Sequence, residues 1–131
     1  MSETQTPSPW HFNVHDMRGA IPRERAEGIH ADVVSSPNVM ISVVRVAPNA
    51  TSTSHSHPEE QWGVLLEGSC TRFQGSEAVD MRVGDFWCTP GGVVHNITAG
   101  PQGTLTFEIF CPPRSAYLAP GEGFSEGKDK P

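Results

Sequence analysis

The chain has 131 residues, enough for one domain with a real core but not for two. Its formal net charge of −6 at pH 7 argues against nucleic acid or an anionic membrane surface as a partner. With 36% hydrophobic residues beside 13 glycines and 12 prolines, the composition suits many short strands joined by turns rather than long helices.

Residues 1–9, MSETQTPSP, are polar and proline-bearing and read as a loose tail. They lack a basic-then-apolar leader pattern, and no apolar run approaches the roughly 20 residues that span a bilayer; a soluble cytoplasmic protein is expected. The region RERAEGIHADV (23–33) comes nearest to a helical period, weakened by Gly28. Strand signals then follow at short intervals: VMISVVRV (39–46), QWGVLLEG (61–68), CTRF (70–73), MRV (81–83), DFWCT (85–89) and TLTFEIF (104–110). From residue 119 to 131, glycine, proline and charge predict a second loose tail. Residues 10–118 are therefore expected to form a single all-β domain, a sandwich or barrel.

Cys70, Cys88 and Cys111 are odd in number and widely spaced, with no CxxC pair, so they read as free and buried in the core. Trp62 and Trp87 read as core or interface aromatics, and His11, His15 and His30 as surface or ordinarily hydrogen-bonded residues.

The segment HSHPEEQ (55–61) carries the chemistry. Side chains alternate along a strand, so His55 and His57 share a face about 7 Å apart, as two imidazoles gripping one ion require. Gln61 has the same parity as His57, although Pro58 interrupts the strand, and Glu59 shares that parity as a rival carboxylate ligand. His95, after the turn Pro90-Gly91-Gly92, can supply a further nitrogen. On TLTFEIF, Thr106, Glu108 and Phe110 share one face. Glu108 there faces either solvent or a half-polar cavity wall, since a carboxylate is costly to bury unpartnered.

The pattern H-x-H-x3-Q-x6-G (55–68), then G-x5-P-x-G-x2-H (84–95), resembles the two motifs of the cupin superfamily. His55, His57, Gly68, Gly84, Pro90, Gly92 and His95 all fall in register. Three positions depart from it: Asn49 and Ala99 at turn or structural sites, and Gln61 where a glutamate ligand is usual. The resemblance implies a double-stranded β-helix, or jelly-roll barrel, holding one divalent transition metal (Ni, Zn, Mn or Fe). Three imidazoles and an amide leave the charge of such an ion unbalanced and make it a stronger Lewis acid. That tilts the chemistry toward non-redox reactions.

A narrower resemblance rests on HxHPxEQ, VLLEG, PxxVVH and the ending acidic-x-Phe-x-Pro-Pro-Arg-x-x-Tyr-Leu over residues 40–118. It is similar to the small bacterial cupins that linearise unsaturated monouronates released from pectin and alginate. The resemblance implies His55, His57, Gln61 and His95 as metal ligands and Glu108, Phe110 and Arg114 as catalytic residues. That family has aspartate where this chain has Glu108. The implied reaction has Glu108 moving a proton on an enol ether while Arg114 anchors a small-molecule carboxylate. Alternatives are an iron or nickel dioxygenase, another cupin lyase, epimerase or cyclase, and a non-catalytic small-molecule-binding cupin. A homodimer is expected, since a short barrel leaves an edge strand to cover, with help from residues 10–14.

Overall fold

A computed structural model describes residues 8–124 of the chain. Residues 1–7 and 125–131, which make up much of the two expected tails, lie outside the described residues. The strands are β1 (Ile21–Ala26), β2 (Ile29–Ser35), β3 (Met40–Val46), β4 (Glu60–Gln74), β5 (Glu77–Arg82), β6 (Phe86–Thr89), β7 (His95–Cys111) and β8 (Gly121–Glu122). Among the described residues the only helical element is a 3₁₀ turn at Ser115–Tyr117. The strands pair in the order β5-β4-β7-β3-β2-β1-β8, with β6 on β4, and the architecture is an all-β jelly-roll barrel.

The two longest strands organise everything else. β4 and β7 run antiparallel from Glu60↔Cys111 to Gln74↔His95, with irregularities between Leu65 and Glu67 and between Gly68 and Cys70. Such bulges let one long strand bend around a barrel. At the second of them Gly68 has φ of 83°, and a Cβ there would lie 1.9 Å from the Gly103 carbonyl oxygen. No other residue fits that crossing. The expected strands QWGVLLEG and CTRF are thus two halves of one bent strand.

Where a helix came nearest, the chain forms a hairpin. Arg23–Val33 spans β1, a turn at Gly28 (φ 78°) and β2. Its alternating burial, with Arg23, Arg25, Ile29, Ala31 and Val33 inside, follows a strand's two-residue period. Ile29, Ala31 and Val33 join Met40, Val44, Val46, Phe110 and Tyr117 in the main core.

Two further expectations need correction. Residues 121–124 are not a loose tail: β8 pairs in parallel with β1, and Phe124 is buried in the core. Arg23 fastens this segment, donating to the carbonyls of Ala116, Glu122 and Gly123 at 2.8 Å each. Of the cysteines only Cys70 is buried; Cys88 is half-buried, and Cys111 is exposed where β7 ends. All three are free.

Candidate metal centre and the cavity beneath it

His55 and His95 are locked opposite each other by paired backbone bonds, His55 N–H to His95 O at 3.1 Å and the reverse at 2.9 Å. Their rings lie 4.4 Å apart, and that of His57 lies 5.0 Å from His95. One ligand nitrogen from each of the three falls within 4.8 Å of the others. Each Nδ1 meets a backbone carbonyl: His55 on Thr53 at 2.9 Å, His57 on Glu59 at 3.0 Å and His95 on Val93 at 2.8 Å. A carbonyl only accepts, so all three rings carry the proton on Nδ1 and turn the Nε2 lone pair toward one point.

Two observations fit a cation at that point. His95 Nε2 is buried with no hydrogen-bond partner. His57 Nε2 lies 3.0 Å from Gln61 Oε1, although in this tautomer both atoms are acceptors. A shared cation removes both difficulties. Gln61, second in β4, stands opposite Phe110 and is buried beside the histidines. Glu59 lies on the other side of the His57 ring, its carboxylate 3.6 Å from Nδ1 and 3.6 Å from Arg114 Nε. The amide, not that carboxylate, stands on the lone-pair side.

Burial keeps the imidazoles neutral. It lowers the pKa of His57, holds His55 down at about 3 and His95 at about 4, and neighbouring positive groups add to the effect. In the unfolded chain they would take up protons below about pH 6.5. The folded, metal-free protein resists protonation, so its stability is full above that pH and is lost as pH falls toward the folded values. Thermal melts of metal-free protein should therefore show a lower Tm at pH 5 than at pH 7; an unchanged or higher Tm would contradict buried neutral histidines.

Glu108 faces inward and is only 8% exposed. Its register partners are Ser42 on β3 and Gly63 on β4. Arg25 Nη1 donates to Glu108 Oε1 at 3.2 Å and its Nη2 to Ser42 Oγ at 2.5 Å, while Thr106 donates to Glu108 Oε2 at 3.1 Å. A buried carboxylate is thereby matched by a buried guanidinium. Phe110 stands edge-on to His57 at 5.6 Å. His55, Gln61, His95, Glu108 and Phe110 line one cavity of about 30 Å³, together with Arg25, Arg72 and Phe124.

Arg114 takes a different place from the one expected. It donates to the Tyr117 hydroxyl at 2.6 Å, stacks over that ring at 4.4 Å, and is absent from the cavity wall. The cations on the wall are Arg25 and Arg72, neither of which the motif reading singled out. Arg25 lay in the stretch with the nearest helical pattern. Arg72 had a usable signal, since it alternates with Cys70 and so shares that residue's inward face. Phe124, from the expected tail, stacks on His55 at 4.3 Å. The other histidines hold ordinary partners: His11 on Ser8, His15 facing Glu67, and His30 between Glu24 and Asp32.

A family model described as a cupin domain matches residues 42–109, just over half of the chain. The chain belongs to the cupin family. Solved cupin structures agree in fold. KdgF from a Halomonas species is 24% identical, covering 74% of this chain and 90% of its own, with a TM-score of 0.69. An RmlC-like cupin from Shewanella frigidimarina is 17% identical, covering 86% and 97%, with a TM-score of 0.73. The oxalate decarboxylase of Bacillus subtilis is 26% identical with a TM-score of 0.67; the match covers 73% of this cupin but only 28% of that longer chain. Among curated proteins no significant match was found.

For this cupin the histidine cluster makes a direct prediction. Protein purified without chelator should carry about one divalent transition metal per chain by elemental analysis. The double substitution His55→Ala and His57→Ala should abolish it, and full occupancy in that variant would move the site elsewhere. No helix among the described residues is long and apolar enough to cross a membrane.

Proposed function

We propose that this cupin is a metal-dependent enzyme acting on a small carboxylated or sugar-derived substrate, by non-redox ring opening of an unsaturated uronate. The observation carrying this reading is one cavity lined by His55 and His95 of the three-histidine cluster, by Gln61 and by the inward Glu108 carboxylate. The motif resemblance to uronate-linearising cupins and the fold likeness to KdgF support it. His55, His57, Gln61 and His95 would hold the ion, which supplies Lewis acidity toward a hydroxyl or carboxylate oxygen.

The chain's own groups have distinct tasks. Glu108 moves the proton on the enol-ether system, its other contacts to Arg25 and Thr106 fixing the carboxylate plane. Phe110 forms an apolar wall that limits water around the reacting carbons. Arg114 holds Tyr117 and faces Glu59; gripping a substrate itself would require its bond to Tyr117 to break. The cavity has room for about one or two waters, so a uronate enters only with Phe124 swung off His55. The test is loss of the unsaturated uronate's ultraviolet absorbance, followed beside its spontaneous decay. No acceleration by metal-loaded protein would remove this substrate class, and oxygen uptake would replace it with oxygenase chemistry.

The homodimer belongs to the same proposal. Trp62, Val64, Phe86, Phe107 and Ile109 form an outer apolar patch in which Phe86 is 71% exposed. Exposed apolar patches of this kind mark association surfaces. Light scattering should give twice the chain mass, and a concentration-independent monomer mass would refute pairing.

A further inference from the structure

Four arginines are buried in the barrel: Arg23, Arg25, Arg72 and Arg114. Three have evident tasks. Arg23 binds backbone carbonyls of the C-terminal segment, Arg25 pairs with Glu108, and Arg114 holds Tyr117 near Glu59. Arg72 differs. It is 6% exposed, and no carboxylate lies in ion-pair contact with it among the described residues.

Its hydrogen bonds are few and long. Nη1 and Nη2 both reach Thr89 Oγ1 at 3.4 Å, and Nη1 reaches Gln74 Oε1 at 3.3 Å. Charge-assisted bonds usually run about 2.7–2.9 Å. Thr89 meanwhile gives its own hydrogen to Gln74 at 2.6 Å. The guanidinium nonetheless lies over the Trp87 ring, its Cζ 4.3 Å from the ring centre. That stack depends on Gly63, where a Cβ would lie 2.3 Å from the Trp87 ring. Glu108 acts on Arg72 only through space and is itself paired with Arg25, so this buried guanidinium without a contacting carboxylate is costly unless something anionic comes to it. Arg72 lines the same cavity as His55, Gln61 and His95.

We infer that Arg72 is the anion-recognition residue of the cavity, taking the carboxylate of a small ligand whose adjacent hydroxyl or carbonyl oxygen reaches the histidine cluster. This rests on the reading of a metal-dependent cupin with a carboxylated substrate and names the residue that selects for the carboxylate. A planar fork suits a carboxylate's two oxygens, and a stacked guanidinium loses little freedom on binding it.

The test uses zinc-loaded protein titrated with glycolate and with ethylene glycol, its uncharged counterpart. Glycolate should shift the Arg72 Nε–H resonance in ¹⁵N spectra, while ethylene glycol leaves it in place. Arg72→Gln should weaken glycolate binding at least about tenfold with zinc content unchanged, and Arg72→Lys should weaken it less. Glycolate affinity in Arg72→Gln equal to wild type would reduce Arg72 to a structural prop and overturn the inference. So would an Arg72 resonance indifferent to glycolate, a measurement on wild type that decides the matter even should the variants fail to fold. Wild type that ignores the unsaturated uronate, yet loses glycolate affinity on Arg72→Gln, removes the uronate reading and leaves this one standing.

Discussion

Glu108→Gln should lower turnover of an unsaturated uronate by about 10²-fold or more, the usual range for a lost general acid or base, with bound metal unchanged. The amide keeps the side chain's length and shape. Its oxygen can still accept from Arg25 or Thr106, which now bond the carboxylate at 3.2 and 3.1 Å. What disappears is the ability to take up and return a proton. Absorbance decay and elemental analysis on the same preparation separate this loss from a lost ion. Equal rates in variant and wild type would assign the proton to another group. Because Arg25 loses its anion in this variant, activity must be read well below the variant's Tm.

Why was that carboxylate only half legible beforehand? Strand parity groups Thr106, Glu108 and Phe110, but parity alone does not say which face is inside. The answer lies in pairings distant in sequence. Ser42 and Gly63 flank Glu108 across the sheet, and Arg25 reaches it from a hairpin more than eighty residues earlier. The histidines were easier, since His55 and His57 sit two apart and the turn before His95 marks its own position. Local spacing left Gln61 and Glu59 open, since both share the parity of His57; in the fold the Glu59 carboxylate lies on the Nδ1 side of the His57 ring and the Gln61 amide on the Nε2 side.

The terminal segment shows the opposite failure. GEGF has the composition of a linker, and nothing local predicts burial. The segment is held because Arg23 supplies three hydrogen bonds to its backbone and to Ala116, and because Phe124 finds the His55 ring. Both partners are long-range. Trp87 packs against the cluster of Leu65, Cys70 and Met81, and its ring also meets the Arg72 guanidinium, a partner that no local pattern shows.

Arg25→Met should cost about 3–5 kcal/mol of stability in urea unfolding, the range for removing one member of a buried ion pair. The reason is asymmetry. Methionine can occupy much of the space over the Tyr117 ring, where the guanidinium now lies at 4.5 Å, so lost packing is the smaller part. The larger part is Glu108, left charged and 8% exposed with Thr106 as the one donor remaining to it among the described residues, while Ser42 loses its bond too. The double variant Arg25→Met with Glu108→Gln removes both charges, and should be more stable than Arg25→Met alone. A single-variant cost below about 1 kcal/mol, the level of an exposed pair, would mean water reaches Glu108 freely. The same result would weaken its place in catalysis, because a carboxylate already bathed in solvent has no need of a buried arginine to hold its plane against a substrate.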